Sequence, residues 1–146
     1  MSKTGFVATS RRLETEKAIK HLGTASVKLS VLDFPYSKGL DEKNVDRLER
    51  LFRTERGCLP CDLPNRIPAI IHESQLLQAL RASNISAECL LSGIIGKPVK
   101  LEFPSGFRLE CLRGRHRVEA ADRVLKGLDK RWVVDLFLAG TVPKHI

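Results

Sequence analysis

Apolar and polar residues alternate along Val27-Lys28-Leu29-Ser30-Val31, the period of a half-buried strand, and Pro35 and Gly39 then interrupt the run. From Asp41 the period lengthens. Val45, Leu48, Leu51 and Phe52 fall on one face of a helix that Asp41 can cap, with Arg47, Arg50 and Arg53 elsewhere on its surface. Gly57-Cys58-Leu59-Pro60-Cys61-Asp62-Leu63-Pro64 is too rich in turn formers for a helix interior and reads as a loop. Ile67 to His72 predicts a short apolar strand, with Pro68 placed where its missing amide faces no partner. Ser74 can cap a helix containing Leu76, Leu77 and Leu80, and a second helix from Ser86 through Leu90 and Leu91 ends at Gly93 or Gly96. These two helices, within residues 74–97, read as an insertion between strands.

Val99 to Leu112 contains two alternating segments around Pro104-Ser105-Gly106 and predicts an antiparallel hairpin. Setting Phe103 opposite Phe107 places Leu101 against Leu109 and Val99 against Cys111 on the apolar face. Glu102 then meets Arg108, and Lys100 meets Glu110, on the other. After Gly114 the helical period returns, with Val118, Ala121, Val124, Leu125 and Leu128 on one face. Arg115–Glu119, Glu119–Arg123 and Asp122–Lys126 are spaced as i,i+4 pairs. Trp132 to Leu138 is apolar enough for a sheet interior. The mixture predicts an α+β (mixed α/β) fold with a small mixed sheet and a strand–turn–helix motif. Its expected organisation is a flexible or helical tail over 1–26, one domain over 27–140 and a short tail over 141–146.

Composition sharpens this picture. With 146 residues, 42% of them hydrophobic, the chain can bury one core. Its net charge of +8 and pI of 9.6 favour a polyanionic partner such as a nucleotide or DNA. An aromatic content of 5% argues against a stacking platform for single-stranded nucleic acid. No stretch approaches the roughly 18 consecutive apolar residues of a membrane span, and no secretory signal is visible. The expectation is an intracellular protein, nuclear or cytoplasmic, not secreted and without a membrane partner. In that setting the four cysteines read as reduced thiols or metal ligands. Cys58 and Cys61 have the spacing of a zinc half-site, but the second pair is missing, so structural cysteines are preferred. His21, His72 and His145 have no spaced partners.

The chemistry concentrates at Gly114-Arg115-His116-Arg117. A strand opening directly into a helix leaves the first helical amides without partners, pointing where an anion would sit. Three basic residues crowd the positive end of that helix dipole, an arrangement that a phosphate chain would resolve through backbone amides and arginine forks. A solvated basic turn is the plainer alternative. Glu119 is the one candidate for proton transfer or metal binding, and a local ion pair with Arg115 is its competing role.

The segment Phe107-Arg108-Leu109-Glu110-Cys111-Leu112-Arg113-Gly114-Arg115-His116-Arg117-Val118-Glu119-Ala120-Ala121 resembles the Gly-x-x-Arg signature of the ParB/sulfiredoxin-like fold. Leu40 to Phe52, Ile67–His72 and Trp132–Leu138 are similar to the elements around that signature, so the likeness spans residues 27–140. More narrowly, Tyr36-Ser37-Lys38-Gly39-Leu40 together with the basic turn resembles a fungal domain of unknown function recurrent in genes of large mobile elements. The resemblance implies a nucleoside triphosphate site, CTP as in ParB-like members or ATP as in sulfiredoxin, with Mg²⁺ bridging phosphates if hydrolysis occurs. Gly114 would permit close phosphate approach, Arg117 would hold the phosphates, and His116 would contact phosphate or a hydroxyl. Arg115 is a further candidate. Sulfiredoxin's reactive cysteine immediately precedes its His-Arg pair, where this chain has Arg115, so sulfinate reduction is not expected. The expected function is a nucleotide-binding module, a weak nucleoside triphosphatase or phosphotransferase at most, in DNA-associated biology of a mobile element. The alternative is a non-enzymatic nucleic-acid-binding or protein-interaction domain whose basic surface comprises Arg113, Arg115, Arg117, Arg47, Arg50 and Arg53.

Overall fold

A computed structural model describes residues 20–54, 57–58, 60 and 62–140. The strands are β1 (His21–Lys28), β2 (Leu32–Asp33), β3 (Ile67–Ile71), β4 (Val99–Lys100), β5 (Leu109–Cys111) and β6 (Arg131–Leu138). They form one six-stranded sheet in the order β2-β5-β3-β6-β1-β4. The sheet is mixed: β1 runs antiparallel to β6 and parallel to β4, while β3 runs parallel to β6 and antiparallel to β5. Four helices complete the fold: α1 (Glu42–Phe52), α2 (Glu73–Ser83), α3 (Ala87–Ser92) and α4 (Arg115–Val124). The mixed α/β class read from the sequence is the class observed.

Connectivity dictates the shape of the sheet. A single 3-10 turn, Leu29–Val31, links β1 to β2, yet four strand spacings separate these strands in the sheet order. A flat sheet would put them ~19 Å apart at ~4.8 Å per spacing. The four steps from Lys28 to Leu32 reach at most ~14 Å fully extended. The sheet must therefore curl, bringing its β2 edge back toward the end of β1.

The inner face of this curl carries Ala25, Val27, Ile67, Ala69, Trp132 and Val134, all buried. Period-2 alternation puts them there, and the register of β1, β3 and β6 keeps them on one side. Val45, Leu48 and Phe52 of α1 and Val118, Ala120 and Ala121 of α4 join the same core, as do Leu76, Ala79 and Leu80 of α2 and Leu90 of α3. The helices between β3 and β4 thus contribute to the main core. Trp132 is fully enclosed, tilted against Phe52, and its indole N–H donates to Asn65 O at 2.8 Å.

Several expectations are corrected. Residues 21–26, assigned to a tail, form most of β1, with Thr24 and Ala25 fully buried; residues 1–19 and 141–146 lie outside the described residues. The hairpin over 99–112 is not formed. β4 extends the sheet beside β1, and β5 stands four places away between β2 and β3. The turn itself is present, with Phe107 N–H donating to Pro104 O at 3.1 Å, Gly106 at φ +84° and the rings of Phe103 and Phe107 stacked 4.5 Å apart. The ladder is not. Glu102 pairs with Arg131 (3.2 Å) and Lys28 (3.5 Å), and Arg108 reaches Asp33 (3.6 Å). Alternation fixes which face a side chain takes and is indifferent to which strand lies opposite. In the curled sheet, the turn joins the edge strand β4 to the interior strand β5 instead of closing a pair. Three smaller corrections concern helix ends. His72 precedes α2, its N–H donating to Gln75 Oε1, so Ser74 is not the cap. α4 stops at Val124, which leaves Leu128 90% exposed, and Leu51 on α1 is 52% exposed rather than core.

Candidate anion-binding cleft at the strand-to-helix turn

After β5 the chain reverses at Gly114, which sits at φ +104° and ψ 9° and precedes the first residue of α4. L-residues with a side chain rarely adopt this conformation. A Cβ here would also come within 2.8 Å of Ile67 Cγ1. The position demands glycine for the turn and for packing against β3, a stronger reason than the open approach inferred from sequence. Gly114 offers no side chain to cap α4, and the first helical bond runs from Val118 N–H to Gly114 O at 3.0 Å. The amides of Arg115, His116 and Arg117 consequently have no acceptor within the helix.

The three half-buried side chains that follow reach back to earlier parts of the chain. Arg115 donates to Ser37 Oγ (3.2 Å), and Arg117 donates to Asn65 Oδ1 (2.7 Å). His116 Nε2 accepts the N–H of Asp41 at 2.8 Å, so in this arrangement that nitrogen carries no proton. Asp41 in turn caps α1 by accepting from Lys43 and Asn44. Tyr36 donates to the Glu110 carboxylate on β5, which holds the phenol above its usual pKa. The segment Tyr36–Leu40 and the basic turn, distant in sequence, are therefore joined.

Between α1, the residues before β3 and the start of α4 lies a cleft of about 260 Å³. Arg47, Arg66, Arg113, Arg115 and Arg117 line it, together with His116, Asn44 and Asn65, and no carboxylate does so among the described residues. Arg47 is held by Asn44 Oδ1 at 2.8 Å, and Arg66 by Ile94 O at 2.8 Å. Gly114, Arg115, His116 and Arg117 all border the cleft, and with them come Arg66, Asn44 and Asn65, which sequence reasoning missed. Nothing local in the sequence marks them, because the long-range fold delivers them to the cleft.

Glu119 lies elsewhere. It borders a second cavity of about 780 Å³ on another side of α4, and Arg115 is the residue common to both. The expected pairs Arg115–Glu119, Glu119–Arg123 and Asp122–Lys126 do not form: Arg115 turns to Ser37, and Asp122 pairs with Lys130 at 3.0 Å. Arg123 crosses to α1, where Glu42 (2.9 Å), Asp46 (3.1 Å) and Glu49 (3.4 Å) surround it. Arg53 is bound to Glu49 at 2.9 Å. Tertiary carboxylates outcompete the i,i+4 partners.

Among the described residues no group of three or more His, Cys, Asp or Glu could hold a metal. Cys58 is buried, and burial pushes its thiol up, favouring the protonated form over the thiolate a metal needs; Cys61 lies outside the described residues. Cys111 is buried and its thiol is pushed up to about 12, which disfavours the reactive thiolate. No described helix is long and apolar enough to cross a membrane.

The structure thus defines a mixed α/β domain with an arginine-lined cleft at a strand-to-helix turn. The chain belongs to the family described as "Protein of unknown function (DUF3723) N-terminal domain", whose model matches residues 20–145. No curated protein and no solved structure matches the chain.

Proposed function

We propose that this domain binds the phosphate chain of a nucleoside triphosphate, CTP or ATP, in the cleft beside Gly114-Arg115-His116-Arg117. One observation carries the reading: five arginines line a small cleft at a helix start, with no carboxylate among the described residues that line it. Like charges held together against the positive end of a helix dipole repel one another, and a multivalent anion removes that repulsion while accepting the free amides. Arg117, oriented by Asn65, and Arg115 are the principal phosphate ligands in this proposal. His116 also lines the cleft, and its bond to Asp41 N–H ties α1 to α4. With no carboxylate among the described residues lining the cleft, Mg²⁺ would be carried by phosphate oxygens and water. The ParB/sulfiredoxin-like kinship and the mobile-element setting belong to this proposal as its context. Hydrolysis or phosphotransfer gains no support from Glu119, which faces away from the cleft.

The second reading, a broad DNA-binding surface, draws on Arg47, Arg50, Arg53, Arg113, Arg115 and Arg117. Arg53 is already neutralised by Glu49, and four of the others line the narrow cleft. That geometry favours a compact phosphate chain over a duplex. Isothermal titration with CTP, ATP, GTP and inorganic triphosphate, with and without Mg²⁺, tests the proposal. Saturable heat is the expected result, and no heat at millimolar ligand overturns it. Duplex DNA binding with a log–log salt slope of about −0.9 per neutralised phosphate would establish the second reading instead.

A further inference from the structure

The cleft of about 260 Å³ is too small for a whole nucleotide, given that drug-sized ligands occupy pockets of roughly 300–1,000 Å³. The adjoining cavity of about 780 Å³ falls within that range and shares Arg115 with it. Leu29, Leu32, Phe34 and Val118 give the larger cavity an apolar wall. Its charged residues are mostly satisfied: Arg108 meets Asp33, Lys130 meets Asp122, and Arg131 meets Glu102. Glu119 is the exception, a half-buried carboxylate on the cavity that makes no hydrogen bond or ion pair among the described residues. That carboxylate is open to solvent in the cavity, and a ligand bearing N–H groups can replace water as its donor.

Resting on the phosphate reading above, we infer that the larger cavity receives the nucleoside end of the same nucleotide, with Glu119 accepting a hydrogen bond from an exocyclic amino group of the base. The phosphates leave through Arg115 into the basic cleft, and the base lies against the apolar wall. An ionised carboxylate only accepts hydrogen bonds, so it welcomes the amino group of cytosine or adenine and repels the carbonyl oxygen that replaces it in uracil or hypoxanthine. Glu119 thereby becomes a specificity residue, with no part in proton transfer.

Two base pairs of ligands isolate this effect: CTP against UTP, and ATP against ITP, titrated calorimetrically into the full chain alongside inorganic triphosphate. CTP and ATP should bind about tenfold more tightly than their oxo counterparts, the scale of one hydrogen bond to a charged group. Glu119→Gln keeps the side-chain shape, but its amide can accept from an amino group or donate to a carbonyl. It should bring both ratios close to one and leave triphosphate affinity within about twofold of wild type. Equal affinities within each wild-type pair, with triphosphate still bound, overturn the inference and leave the phosphate cleft standing. Failure of every nucleotide and of triphosphate to bind overturns the cleft, and this inference with it.

Discussion

Helix α4 carries arginines at both ends and treats them in opposite ways. Arg123, in its last turn, lies where the helix dipole already favours a cation, and it gathers three carboxylates from α1. Arg115 and Arg117, in its first turn, lie where the dipole disfavours cations, and their partners are neutral: Ser37 and Asn65. A chain selected only for stability would reverse this allocation, pairing the strained charges first. The difference separates a structural cation, whose counter-charge is built into the fold, from cations whose counter-charge is left for a ligand. Position along the helix reveals nothing of this, but the identity of each partner does.

The largest expected effect removes the geometry on which the ligand end depends. Gly114→Ala forces a side chain into a φ of +104° and drives its Cβ toward Ile67. Backbone strain and overpacking together should cost ~3 kcal/mol. Chemical denaturation of wild type and variant measures the loss, and an unchanged midpoint would mean that this turn relaxes freely. Next comes a paired substitution that sets the two ends against each other. Arg117→Ala should weaken triphosphate binding by about 30- to 100-fold, the scale of a charge-assisted pair of hydrogen bonds, with little change in thermal stability. Arg123→Ala should do the reverse, lowering the melting temperature and leaving triphosphate affinity intact. If both variants lose stability and neither loses affinity, the two ends are alike and the distinction fails.

How far the sequence anticipated this molecule depends on the range of the interaction concerned. The cap at Asp41, the face of Val45, Leu48 and Phe52, the buried strand at Trp132 and the glycine turn at 114 were all legible, because each follows from residues within a few positions. The hairpin over 99–112 failed for a physical reason. Val99, Leu101, Leu109 and Cys111 show the right alternation for mutual pairing, but the same alternation serves two strands at separate places in a curled sheet. Likewise Glu119 and Arg123 have ideal helical spacing, yet Arg123 prefers three carboxylates on α1. The basic turn was visible as a motif, while its surroundings in the cleft could be seen only after the chain had folded, since Asn44, Asn65 and Arg66 arrive from distant segments.

The smallest effect tests the structural end through pH. Arg53, which hydrogen-bonds Glu49, and then Arg123 hold that carboxyl below its ordinary value of 4.5. A group whose folded pKa is depressed contributes stability above its unfolded pKa and loses it as pH falls through the folded value. Glu49→Gln removes the titrating charge. It should therefore melt below wild type at pH 6, and the gap should close as the pH drops below about 4.5 toward the folded pKa. Because the Glu49–Arg53 pair lies at the surface, salt screening keeps the gap small, and it should shrink further at 1 M salt. A gap that stays constant from pH 6 to pH 3 would show that Glu49 holds α1 to α4 by shape alone. The contrast between a neutralised and an unneutralised end of α4 would then lose its electrostatic basis.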